Sequence, residues 1–309
     1  MLGAFWNSVG GKIADRWAAV SAGALVFWLG GLLAWALGHG GLSSLKQPAD
    51  WLAHQPAPTQ LAIILAALLG VAASGVVVQS LTTPAIRVME GYWPGWLEPA
   101  HRLLVRRMAQ RADKDEERWQ ELAGRVLPPA RPTGPDRAAF ARLERRLHRR
   151  PAQPEQLMPT ALGNTLRAAE SRPVDKYGLD AVWVWPHLWL VLPDPARQEL
   201  VTARAALDSA ARACVWGLLF VAFTPWTPLA APTGLVVAAG AAYWWAPAAA
   251  QVFADLEEAA FDLYRTALYQ QLRWPLPANP REECAEGRRL TTYLLRGLHG
   301  SSPRFTKPP

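Results

Sequence analysis

Only two cysteines, Cys214 and Cys284, and six histidines occur in 309 residues. A disulfide-stapled secreted scaffold needs dense paired cysteines, and a zinc site needs Cys or His ligands at short fixed intervals. Neither pattern is present. Charged residues are also scarce, at 18% against roughly a quarter in soluble domains. Lysine supplies five of the 32 Lys+Arg, and isoleucine stands only at positions 13, 63, 64 and 86. Lysine and isoleucine have A/T-rich codons, whereas arginine, alanine, glycine and proline have G/C-rich ones, so the imbalance points to a bacterium with a G/C-rich genome. There is no phosphate-cradling loop, dinucleotide fingerprint or nucleophile elbow. Glu257 and Glu258 are adjacent, so on a helix they diverge by about 100° and do not form a facing acid pair. His187 is a lone imidazole. No catalytic, cofactor-binding or metal-binding residue is assigned, and the chain does not read as an enzyme.

What the chain has in excess is apolar sequence gathered into long runs. No charged residue falls between 17 and 38, between 60 and 81, or between Arg212 and Asp255. The first two runs are each long enough to cross the roughly 30 Å hydrocarbon core as one helix. The third is too long for one crossing, and Pro225, Pro228 and Pro232 interrupt it, so it reads as a hairpin rising through 215–223 and returning through 235–250. A cleaved signal peptide is the rival for the first run, but that run exceeds the 7 to 15 residues of a signal core. The fold class that follows is all-α, an integral membrane protein with four transmembrane helices in a 2+2 arrangement and a helical cytoplasmic domain with an extended juxtamembrane stalk.

Direction follows from the Lys/Arg bias of the loops. The 39–58 connection carries only Lys46 and 224–233 carries no basic residue, whereas 82–209 holds 20 of the 32 Lys+Arg. The organisation expected is a cytoplasmic N-terminus over 1–16, transmembrane helices 1 and 2 over 17–81, a cytoplasmic helical domain over 82–209, transmembrane helices 3 and 4 over 210–251, and cytoplasmic C-terminal helices and tail over 252–309. Both termini then face the cytoplasm across the inner membrane. Trp17, Trp35, Trp51, Trp93, Trp96 and Trp226 fall near the boundaries, where amphipathic rings anchor.

The crossings carry no ionisable group at mid-membrane, unlike proton relays, voltage sensors and most ion-coupled transporters. Small residues recur at one-turn spacing instead. Gly70 and Ser74 in the second crossing, and Gly234, Ala238, Ala242 and Ala246 in the fourth, are candidates for close helix packing or pore lining. Pro247 is placed to kink the fourth helix.

In the cytoplasmic part, 98–125 and a second arm capped by Asp136 form a helical hairpin, with Phe140, Leu143 and Leu147 on one stripe. The second arm gathers Arg137, Arg142, Arg145, Arg146, Arg149 and Arg150, candidates for anionic lipid headgroups at about 1 kcal/mol per basic residue near the surface. Nucleic acid ranks behind lipid because no recognition motif accompanies the charge. Thr160 is placed to cap a short helix. The run 181–192 is too short to cross a bilayer, is broken by Pro186, and reads as a docking element against the bundle. Stripes through Leu200, Ala203, Leu207 and through Phe253, Leu256, Ala260 extend helices 3 and 4 as an antiparallel stalk. Asn279 caps a last helix, and the tail beyond Ser301 is expected to be unstructured.

Three segments, Pro159-Thr-Ala-Leu-Gly-Asn164, Tyr177-Gly-Leu-Asp180 with Trp185-Pro-His-Leu188, and Ala260-Phe-Asp-Leu-Tyr-Arg265, resemble an uncharacterised family of four-helix membrane proteins of actinobacterial type. That resemblance implies threading and bacterial origin, and no activity. The 2+2 topology is similar to that of bestrophin-like anion channels, without their pore motifs. The function expected is a bacterial multi-pass inner-membrane protein whose basic cytoplasmic domain is an interaction or regulatory module, with the lipid bilayer, a cytoplasmic protein and further copies of itself as partners. The alternatives are an oligomeric ion channel or membrane-permeabilising pore, and then an intramembrane enzyme.

Single-cysteine labelling in a background lacking Cys214 and Cys284 tests the threading. Leu45→Cys should react with an impermeant reagent from outside and Arg145→Cys only after the inner face is opened. The reverse pattern would invert the orientation.

Overall fold

The computed structural model describes residues 22–128, 133–297 and 305–306, all helix or connection, with no strand among the described residues. Eleven helices follow in order: α1 from Ala22, the first described residue, to Gly38; α2 (Lys46–Ala53), α3 (Ala57–Glu90), α4 (Glu98–Val126), α5 (Gly134–His148), α6 (Ala161–Tyr177), α7 (Ala181–Val191), α8 (Asp194–Phe220), α9 (Ala230–Gly240), α10 (Ala246–Gln271) and α11 (Pro280–Arg296). The expected 1–16 segment and the start of the first crossing at 17–21 lie outside the described residues. Three helical stretches are long and apolar enough to cross a membrane, Ala57–Val126, Asp194–Phe223 and Ala230–Gln271, and α1 is joined to the stretch ending in α2 at a bend of 110°.

The chain divides into two compact units. One takes the described residues up to Ile86 with Asp208–Ala246, the other Arg87–Leu207 with the described residues from Pro247. The first holds together by close backbone approach. A methyl group on Gly217 of α8 would stand 2.7 Å from the Ala238 nitrogen of α9, and one on Gly234 would stand 2.5 Å from the Gly217 carbonyl oxygen, so each helix fits into a notch in the other. On α1, Gly23 and Gly30 leave room for Trp216 and Phe220 of α8 in the same way. The ring of Phe27 of α1 packs, tilted, 4.7 Å from that of Trp216 and 5.1 Å from that of Phe223. α3 buries Gly75, Val78, Thr82 and Ile86 on one face.

Several expectations are corrected. Beyond the charge-free run α3 continues through Pro84 to Glu90, where Gly91 at φ 111 ends it; the amides of Gly91 and Tyr92 both return to the Arg87 carbonyl. Pro247 is accommodated by a π turn at Ala241–Trp245, which covers the Tyr243 carbonyl that a proline four residues on would crowd. Pro186 does not break α7, because it lies on the exposed face, where the lost hydrogen bond costs least. Within its own unit α7 docks against α6 and α11. Its Ala181, Val184 and Leu188 join Leu200, Phe261, Leu268, Tyr269, Trp274 and Leu290 in the second unit's main core. Asp136 is not the cap of α5: Thr133 is, accepting from the Asp136 amide while Pro135 fills the first turn. Of the tail beyond Ser301 only Phe305 and Thr306 are described, and the Thr306 amide donates to the Arg273 carbonyl at 2.9 Å.

Gly70 has open space where a side chain would go, unlike Gly217. Gly217→Leu should lower the thermal midpoint of the solubilised protein, an overpacking cost of about 1–3 kcal/mol or more. Gly70→Leu should leave single-chain stability within about 0.5 kcal/mol. A drop in native mass confined to Gly70→Leu would mark this face of α3 as a contact between copies.

Candidate functional site

The six sequence-assigned arginines do not act alike. On α5, Phe140 and Leu143 are buried with Leu122 and Ala123 of α4, and Trp119 and Leu147 pack beside them. This fixes the rotation of α5. Arg146 then reaches Asp115 of α4 at 3.1 Å, and Arg150 approaches its other oxygen at 2.8 Å off the hydrogen-bond axis. Asp115 is buried, so these two arginines neutralise a carboxylate inside the hairpin. Arg137, Arg142, Arg145 and Arg149 are exposed and make no ion pair among the described residues. At 100° per residue Arg142, Arg145 and Arg149 share an arc of about 60°, roughly opposite the apolar stripe.

α6 is positioned at its start by the end of α3. Thr160 donates its hydroxyl to the Glu90 carbonyl at 2.9 Å and accepts from the Gly163 amide at 2.9 Å. The Asn164 side chain closes the turn before it, donating to the Met158 and Thr160 carbonyls, each at 2.8 Å, and accepting from the Met158 amide at 2.9 Å. A Cβ at Gly163 would fall on the Glu90 carbonyl. The Pro159–Asn164 segment is therefore a clamp on the last turn of α3.

Further along α6, Arg172 and Lys176 meet Glu258 and Asp262 of α10. Arg172 donates to Glu258 Oε2, Lys176 donates to Glu258 Oε1 at 2.6 Å, and Lys176 stands 3.3 Å from Asp262. Tyr177 donates to Asp262 at 2.6 Å beneath the Arg265 guanidinium, 4.0 Å from its ring, and Arg265 donates to Glu283 of α11 at 2.6 Å. Burial opposes ionisation of Glu258, but the hydrogen bond from Lys176 and the charge of Arg172 outweigh it and hold the carboxyl below its ordinary value. Burial and the hydrogen bond to Asp262 push the Tyr177 phenol up to about 12. His148, at the end of α5, joins the network: its Nε2 accepts from Arg172 at 2.9 Å and lies 3.3 Å from Glu258. Burial and the nearby Arg172 lower its pKa, which suits an acceptor.

Glu257 points away from this network, as adjacent helical positions require. It is 8% exposed. It lies beyond the charge-free part of its helix, in the stretch that also holds Asp255 and Asp262. Burial and the Glu170 carboxylate of α6 raise its carboxyl to about 7, with Arg204 of α8 opposing. Arg204 lies 5.8 Å over the ring of Phe253, one turn before Glu257 on α10. Glu90, at the end of α3, is raised by burial and by the same Glu170, with Arg204 and Arg87 opposing. Among the described residues no cluster of three His, Cys, Asp or Glu side chains could hold a metal ion.

The small residues take different places. Ser74 accepts from Trp28 Nε1 of α1 at 3.0 Å, Gly234 and Ala238 form the α8–α9 notch, Ala246 is buried, Ala242 is half-buried, and Gly70 is exposed. Asp115, Arg172, Lys176, Glu170 and Arg204 were missed by sequence reasoning. One pattern could have found the pairing of α6 with α10: cations at 172 and 176 match carboxylates at 258 and 262 in spacing.

Arg150→Ala should lower the thermal midpoint by an amount equivalent to about 1–3 kcal/mol, because it leaves Asp115 underpaired. Arg149→Ala should stay within about 0.5 kcal/mol. Equal effects would remove the distinction between paired and free arginines. Comparison of the chain with protein-family models, with curated proteins and with solved structures finds no match, so the roles of these residues rest on their geometry.

Proposed function

We propose that the chain is a multi-pass bacterial inner-membrane protein with four crossings and both termini in the cytoplasm, whose basic helical part is an interaction and regulatory module that engages anionic lipid headgroups. Three long apolar helices and the apolar α1 support the membrane reading. The Lys/Arg bias of the connections supports the orientation. The observation that carries the module is the division of labour on α5. Asp115 pairs with Arg146 and with the enclosed Arg150, which leaves Arg142, Arg145 and Arg149 unpaired among the described residues, on the face away from the apolar stripe. A row of exposed guanidiniums suits phosphate-bearing surfaces, since each presents several donors in a planar fork.

The second reading is an oligomeric channel. The open face at Gly70 favours it, because among the described residues a side chain there would meet nothing within 4 Å. Gly234 and Ala238 are already engaged with α8, which leaves them less available as a pore lining.

The test uses full-length protein in phosphatidylcholine nanodiscs, offered liposomes with and without phosphatidylglycerol. Binding should require the anionic lipid and weaken with salt. The triple variant Arg142→Ala, Arg145→Ala, Arg149→Ala should lose about 3 kcal/mol, roughly two decades of affinity. Binding that is indifferent to lipid charge, or unchanged in the triple variant, would remove the lipid assignment.

A further inference from the structure

α6 works on two sides. Arg172 and Lys176 turn toward α10. Beside them Arg167, Glu170, Ser171, Val174 and Asp175 fall within an arc of about 140°. With the turn at 153–156 and the start of α7, that arc bounds a cavity of about 140 Å³, which Gln153, Gln156, Asp180 and Val182 also line. All of these elements belong to one unit.

The lining is acidic once its internal pairing is counted. Arg167 stands 3.3 Å from Glu170, so those two charges cancel. Lys176, next to Asp175 in the chain, is committed to Glu258 and Asp262. Asp175 is exposed, and among the described residues its carboxylate has no ion pair or hydrogen bond. Asp180 caps α7 with Oδ1, which accepts from the Val182 amide at 3.0 Å; its other oxygen accepts nothing among the described residues. The Ser171 hydroxyl is spent on the Ala168 carbonyl. Gln156 donates its Nε2 to Gln153 Oε1 at 3.0 Å, and its own Oε1 is buried without a hydrogen-bond partner. Buried acceptors without a donor are rare in folded proteins. A turn about the soft last torsion of Gln156 brings that oxygen to an incoming N–H.

Size and apolar surface narrow the ligand. The cavity is smaller than the roughly 300–1,000 Å³ of sites that hold drug-sized molecules, so it admits a single head group. Among the described residues no three His, Cys, Asp or Glu side chains converge on a metal position, so the carboxylates here are spread too widely to close on a bare ion. Val174 and Val182 line the cavity while 36% and 63% exposed, an apolar path from it to solvent. A cation on a short aliphatic stem matches both parts, the combination that Lys and Arg side chains carry.

We propose that this cavity is a binding site for an alkyl-linked ammonium or guanidinium group, its N–H donors on Asp175, Asp180 and Gln156 and its stem across Val174 and Val182. The occupant is the Lys or Arg side chain of a protein partner, or a free small cation with the same end group. The site is separate from the arginine row of α5 and stands whether or not that row engages lipid.

The test is calorimetric titration of the full-length protein in phosphatidylcholine nanodiscs, which carry no net charge. The probes are butylguanidinium, butylammonium, the neutral isostere butylurea, and the end-blocked peptide Ala-Ala-Arg-Ala-Ala. Both cations should bind saturably and butylurea should not. Asp175→Asn, at an exposed position, should leave the thermal midpoint of the free protein unchanged and weaken the cations by about tenfold or more. Gln156→Leu should weaken them as well, whereas Glu144→Gln, an exposed carboxylate of α5 outside the cavity, should not. Tighter binding of the peptide than of butylguanidinium assigns the site to a protein side chain, and the reverse order assigns it to a free cation. Absence of cation binding, equal binding of butylurea, an affinity unchanged in Asp175→Asn, or an equal loss in Glu144→Gln would each overturn the proposal.

Discussion

A carboxylate as enclosed as Glu258 persists only because α6 brings two cations to its two oxygens. Much of the helical unit depends on that requirement. To deliver Arg172 and Lys176 together, α6 must keep its register, and the Thr160 clamp on Glu90 fixes where its first turn begins. Its far end is set by Gly178, left-handed at φ 70 and packed against the Cys284 carbonyl of α11. The chain then turns through Asp180 into α7, whose apolar face closes the core under the ion network. Arg265, spanning Tyr177 and Glu283, ties α10 to α11 in the same layer of charge.

The two units use opposite chemistries to the same end. In the first unit, with almost no charge to pair, the helices meet through shape. The Gly217–Gly234 notch and the aromatic rings beside Gly23 and Gly30 supply it. In the helical unit, apolar burial provides a core, and paired charges set which helix faces which. That contrast matches the sequence, where charge is nearly absent from one set of residues and dense in the other.

Much of this was legible beforehand. Charge-free runs located the apolar helices, caps at Thr160 and Asn279 were readable from residue type, and the stripe of Phe140, Leu143 and Leu147 gave the hairpin. The misses share a cause. Pro186 looked like a break because a single chain does not say whether the lost hydrogen bond falls where it can be borne. Asp136 looked like a cap by residue type, but Thr133, three residues earlier, caps the helix with Pro135 in its first turn. Glu257 and Glu258 were rightly separated by helical geometry, but their partners stand more than eighty residues away on α6, beyond the reach of local pattern. The six arginines had one composition and two roles, and only the buried position of Asp115 divides them.

The length of that separation also bears on the order in which the molecule comes together. The α4–α5 hairpin closes over a gap of 31 residues between Arg146 and Asp115, whereas Arg172 waits for a partner 86 residues downstream. Local contacts form early and distant ones late, because the chain entropy of closing a long loop precedes any reward from the contact. During synthesis the hairpin can be complete while α6 still carries two bare cations. The last helices to emerge are then the ones that turn α6 from a solvated, mobile segment into a fixed strut, and a chain truncated before Glu258 would keep its arginine face but lose the brace behind it.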